Sequence, residues 1–241
     1  MNSERMATNL NRIACVLKTN GLITDGSRRM LHEAASYVES CPEETWELVV
    51  YPDNPIVFTK AESDERVRPD IFCEIVKSDT DDYPLTHLRL VLRVWSIRRG
   101  LSYRPDWDSS HIIKKLDENY SIDRVISRCH YDTCDKSQYA PFYHLQLHGK
   151  PIDNELYWFP HTIELPRFPS PPIDLILACE LVVATFFPRK YQQLMEKGEW
   201  VNIIKESESY LLDKYFERCQ SYLDINPRNV SLLDCLCTQP F

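Results

Sequence analysis

Residues 87–99 limit this chain more than any other stretch. Leu88, Leu90, Leu92 and Val94 alternate with His87, Arg89, Arg93 and Trp95, while Val91 and Ile97 fall among the polar set. A period of two gives an extended strand one apolar face and one that meets water or a ligand. Residues 121–134 and 141–148 repeat that extended character on either side of a short loop, Asp135 to Pro141. No helical stretch between these strands is long and regular enough to serve as a repeated parallel crossover, so a mainly antiparallel sheet is expected.

The rest of the chain supplies helices for one side of that sheet. Leu10, Ile13, Ala14 and Leu17 fall at helical spacing before Asn20-Gly21, and a second helix after Ser27 would bury Leu31, Ala34, Ala35 and Val38. Strands at 47–51 and 56–59 flank Pro52-Asp53-Asn54-Pro55, residues that favour a tight reversal. A short strand at 71–77 and a polar turn at 79–84 follow. Further on, a loop at 104–108 and a short helix at 109–118 precede the hairpin.

Residues 173–187 are apolar most of the way round, which predicts a helix enclosed by protein. It would be entered through Ser170-Pro171-Pro172, with the serine as its cap, and stopped by Pro188. Residues 199–223 carry a second helical stripe. The expected fold class is therefore α+β: a mainly antiparallel sheet covered on one face by helices, with a helical C-terminal subdomain. Residues 1–188 would form the core domain with its N-terminal helical hairpin, and residues 189–241 a helical subdomain packed on that core.

Composition narrows the function classes. A net charge of −8 disfavours a broad non-specific nucleic-acid binder, though it leaves room for a local basic stripe. Five Gly against 16 Pro argue against a glycine-rich phosphate loop, and no Walker or dinucleotide fingerprint is present. Nine Cys without a regular framework, after an N-terminus with no apolar stretch, point to free thiols and a cytoplasmic setting. The run at 173–187 is too short to cross a bilayer and is interrupted by Asp174 and Glu180, so no membrane association is expected.

Chemistry-bearing residues collect on the hairpin. If its strands pair symmetrically about the loop, His130 lies opposite His148, Asp132 opposite Gln146 and Cys134 opposite His144. His130, Asp132, His144 and His148 would then form an acid/base cluster or a divalent-metal site able to hydrolyse a phosphodiester or amide. Same-face neighbours along a strand stand about 7 Å apart, however, which separates His144 from His148, and half-exposed cross-strand pairing explains the same residues without catalysis. Arg89, Arg93, Trp95 and Arg99 on one strand, with Arg124 and Arg128 on another, would make a basic aromatic face for a nucleic-acid strand, or simply a solvated surface. Tyr157, Trp158, Phe159 and Phe168 supply the large anchors that protein interfaces favour.

Weaker signals have structural readings. The Arg124-to-His130 interval matches helical ribonucleases but lies here in a strand. Cys235-Leu236-Cys237 lacks a partner pair for a metal site. Asp70, Glu74 and Lys77 read as charges blunting a short edge strand.

The strand ending Cys129-His130-Tyr131-Asp132, the return from Pro141 to Gly149, and the link Leu165-Pro166-Arg167-Phe168-Pro169-Ser170-Pro171-Pro172 into Ile173-Asp174-Leu175 resemble an uncharacterised family of bacterial proteins. The resemblance covers about a third of the chain and carries no activity with it. It implies an accessory role near mobile-element or phage-defence genes. The leading expectation is thus a non-catalytic binding subunit of a bacterial assembly, without a cofactor, that contacts a protein partner or nucleic acid. The alternative is a metal-dependent hydrolase or nuclease.

Overall fold

The computed structural model describes residues 1–77, 83–99, 121–134, 141–147 and 167–225. The loop at 104–108, the helix at 109–118, His148, Tyr157, Trp158, Phe159, Cys235 and Cys237 therefore lie outside the described residues, as does most of the turn at 79–84.

Two helices open the chain. Helix α1 (Ser3–Thr19) starts where the Asn2 side chain accepts from Arg5 N at 2.9 Å, and buries Met6, Leu10, Ile13 and Leu17 on one stripe. It ends at Asn20, and Gly21 takes φ 64, a left-handed conformation that a residue with a Cβ adopts only with strain. Helix α2 (Asp25–Ser40) is capped by Thr24, whose Oγ1 accepts from Ser27 N at 3.1 Å. Ser27 is thus inside the helix rather than before it, and its hydroxyl bonds both backbone groups of Val57.

Among the described residues seven strands follow: β1 (Trp46–Val50), β2 (Ile56–Val57), β3 (Val67–Lys77), β4 (His87–Arg99), β5 (Ser121–Thr133), β6 (Tyr143–Leu147) and β7 (Phe168–Pro169). The described order is β1-β3-β4-β5-β6-β7, with β2 also on β3, and every pairing is antiparallel. The Pro52-to-Pro55 turn does not make a hairpin of β1 and β2, because both pair with β3, which begins four residues earlier than the alternation predicts.

The described helices cover one side of this sheet. The register places Leu48, Val50, Ile56, Ile71, Cys73, Ile75, Leu88 and Leu90 on that side, each buried. Helix α2 packs on β1 and β2, and α3 (Leu175–Phe186) packs on β3. Each such leucine or isoleucine stabilises the fold by about 1.5–3 kcal/mol relative to an exposed side chain.

Helix α3 differs from expectation at both its start and its surface. Asp174, fully buried, is its cap and accepts from Leu177 N at 2.9 Å, four residues beyond Ser170. Pro171 and Pro172 therefore precede the helix instead of forming its first turn. Its side chains are mostly enclosed, but Leu181 is exposed.

Helix α4 (Pro188–Met195) has no cap of its own; Glu62 from the loop before β3 accepts from Arg189 N and Lys190 N. Helix α5 (Gly198–Ile225) packs on α1 and α3, and its Trp200, Ile203 and Leu211 belong to the same hydrophobic core as the sheet. Among the described residues no helix is long and apolar enough to cross a membrane.

Candidate functional site: the polar face of β3 to β6

The face turned away from the helices is a grid of cross-strand rows. Asp70, Arg93 and Arg128 form one row; Phe72, Val91, His130 and Gln146 the next; Glu74, Arg89, Asp132 and His144 the third. The hairpin register is displaced by two residues from the symmetric expectation, so Asp132 faces His144 instead of Gln146, and His130 faces Gln146 instead of His148. A slip of two leaves every side chain on its original face, whereas a slip of one would have inverted them all. Tyr143 holds this register, because its hydroxyl is buried against Leu85, donating to the carbonyl at 2.6 Å and accepting from the amide at 3.2 Å.

The centre of the face is not open. Arg93 is 4% exposed and grips Asp70 with two bonds, Nε to Oδ1 at 2.7 Å and Nη2 to Oδ2 at 3.0 Å. Trp95 Nε1 donates to the same Oδ2 at 2.8 Å, and Arg93 Nη2 reaches the Pro52 carbonyl at 3.1 Å. The guanidinium also lies over the rings of Phe72 and Trp95, 4.8 and 5.2 Å from their centroids. Burial pushes the Asp70 carboxyl upward, against the pull of Arg93 and Trp95.

Arg128, directly across from Arg93, is 0% exposed. Burial and then the charge of Arg93 bring its pKa down to about 10, with Asp70 pulling the other way. Arg93 and Arg128 are thus brought together as expected, but inside the protein rather than on an accessible surface. Trp95 is half-buried and Arg89 exposed. Arg99 and Arg124 belong to β4 and β5 by their backbone, and their side chains lie outside the described residues.

The third row holds the ionisable cluster. Asp132 is held up at about 6, chiefly by burial, while Arg89 and Arg167 oppose that rise. Its Oδ2 lies 3.9 Å from His130 Nδ1, and its Oδ1 is buried without a hydrogen-bond partner among the described residues. His144, also buried, places Nδ1 3.1 Å from the Pro141 carbonyl. A carbonyl only accepts, so Nδ1 carries the proton and Nε2 keeps a lone pair. Burial holds this imidazole below its ordinary range; the Pro141 bond opposes that and Arg167 reinforces it.

No group of three His, Cys, Asp or Glu is gathered for a metal ion among the described residues.

At the far margin, Phe168 is 48% exposed on β7, paired with Leu145, and Leu147 on the same face of β6 is 38% exposed. Of the four aromatic anchors expected, Phe168 alone lies within the described residues.

Asp70 is the residue that sequence reasoning misplaced. It sits in an inner strand, not at an edge, and is the counter-charge that encloses Arg93. A carboxylate flanked by Pro69 and the apolar Ile71-Phe72 was the available signal. Compared with protein-family models, curated proteins and solved structures, the chain matches none.

Proposed function

We propose that the protein is a non-catalytic binding subunit that docks a protein partner at the margin of its sheet, around Phe168 and Leu147. The observation that carries this reading is the exposure of these two large apolar side chains, diagonal neighbours on adjacent strands. On the same face the buried Tyr143 ring packs against Tyr215 of α5, with centroids 6.5 Å apart, and Tyr215 in turn against the exposed Phe216, 5.5 Å away. Aromatic anchors of this kind carry a large share of the energy at protein interfaces. The enclosure of Arg93 and Arg128 weighs against nucleic acid as the ligand of the opposite face, since a guanidinium must reach a phosphate to neutralise it. A bacterial assembly in a mobile-element or defence setting is the context that the sequence resemblance implies.

The test is recovery of tagged protein from its native cells, comparing the unaltered chain with a Leu147→Glu/Phe168→Glu variant and with Arg89→Glu. Support would be one defined protein retained at equal stoichiometry by the unaltered chain and by Arg89→Glu, and lost by the double variant at unchanged melting temperature. Retention of nucleic acid in its place, equal retention by all three, or no retained partner overturns the reading. So does a metal-dependent hydrolytic activity that Asp132→Asn abolishes.

A further inference from the structure

We propose that the outer edge of β1 is a docking site for an extended segment of a partner chain, one that alternates apolar with cationic side chains and adds a strand to the sheet. In the described strand order β1 is an end, bonded to β3 alone. Every second residue of such a strand turns its amide and carbonyl outward, and among the described residues none hydrogen-bonds those outward groups of residues 46–50. Other stretches of edge are closed in ways that β1 is not. At β2 the Ser27 hydroxyl satisfies both the amide and the carbonyl of Val57. At the far end of the described order β7 is two residues long, and one of them is Pro169. Strand β1 runs for five residues in unbroken register, with no lysine, proline or bulge to blunt it.

Charge selects the occupant. Residues 30–59 contain no lysine or arginine, while Glu33, Glu39, Glu43, Glu44, Glu47 and Asp53 all fall among them. Lys77, opposite Trp46 at the end of β3, is already taken up by Glu44. A second copy of the chain would set these carboxylates against each other, whereas a strand bearing lysine or arginine complements them. Glu47 is the carboxylate within the strand, on the face away from the helices. Tyr37 of α2, on the helix side, donates from its hydroxyl to Glu47 Oε2 at 3.2 Å, so this bond closes round the free edge. The Tyr37 side chain is itself 51% exposed, and Tyr51, just past the strand, 64%. An added strand takes Glu47 with a cation on one face and lays apolar side chains against Tyr37 on the other. This edge lies at the opposite end of the described sheet from Leu147 and Phe168 and does not rest on docking there.

The test uses the full chain and a synthetic peptide of about eight residues alternating valine and lysine, with an equally charged peptide alternating proline and lysine as the control that cannot form a regular ladder. Backbone amide NMR is expected to show the valine–lysine peptide shifting the β1 signals. At about ten times its Kd, exchange of the outward β1 amides should slow about tenfold. Glu47→Lys should weaken binding about fivefold. Glu196→Lys, the same charge change on an exposed residue remote from β1, and Leu147→Glu/Phe168→Glu should leave it unchanged. If Glu47→Lys fails to fold, Glu47→Gln, which can still accept from Tyr37, should weaken binding in the same direction. No binding of the valine–lysine peptide, equal binding of the proline–lysine peptide, equal weakening by Glu196→Lys, or protection of the same amides by self-association of the chain overturns the proposal. The peptide titration and the recovery of a native partner are separate measurements, so either reading can fail alone.

Discussion

At the scale of single residues, the polar face is governed by the cost of burying charge. Asp70 and Arg93 are both almost fully enclosed, and their two parallel bonds together with the Trp95 donor offset a desolvation that neither charge would survive alone. Asp70→Asn removes the counter-charge while leaving Arg93 inside, so equilibrium denaturant unfolding should show a loss of about 3–5 kcal/mol. An Asp70→Leu/Arg93→Met double replacement, which removes both charges, should cost less than Asp70→Asn alone. If it costs more, the pair's hydrogen bonds and not its desolvation dominate this site. The alternation of residues 87–95 made the shared face legible. It could not show that the face is enclosed at its centre, because an arginine at a polar position reads the same whether water or a carboxylate meets it.

At the scale of elements, boundaries depend on which side chain reaches the first free amides. Ser170-Pro171-Pro172 has the composition of a helix start, yet α3 begins at Asp174, because its carboxylate also accepts from Ser207 Oγ of α5. That second bond ties two helices 33 residues apart, a tertiary term absent from any local pattern. Asp174→Ala would remove the cap, at about 1–2 kcal/mol, and leave the Ser207 hydroxyl buried without its acceptor, at roughly 1–3 more. Asp174→Asn keeps an oxygen for the cap and offers its NH2 to the Ser207 hydroxyl, which can accept, so it should retain more of the stability than Asp174→Ala. Thermal unfolding of the two variants, compared side by side, checks this order. Helix α4 shows the same dependence, since Glu62 caps it from 127 residues away.

At the scale of the whole molecule, one core extends from the N-terminal helices through the sheet to α5. Trp200, in the segment read from the sequence as a helical C-terminal subdomain packed on the core, is fully buried in it. Trp200→Ala should lower global stability by about 3–5 kcal/mol and leave a single unfolding transition, with fluorescence and circular dichroism coinciding. Separate transitions would mean that α5 unfolds independently. What the sequence by itself determined was the α+β class, the antiparallel sense of the sheet and the faces of residues 88–95, of His130 and Asp132, and of His144 and Gln146, because periods of two and 3.6 are properties of the local backbone. Only the tertiary structure decided the hairpin register, the enclosure of Arg93 and Arg128, and the meeting of Asp132 with His144. Register depends on where Tyr143 finds Leu85, and burial depends on what lies opposite, and both are relations between residues far apart along the chain.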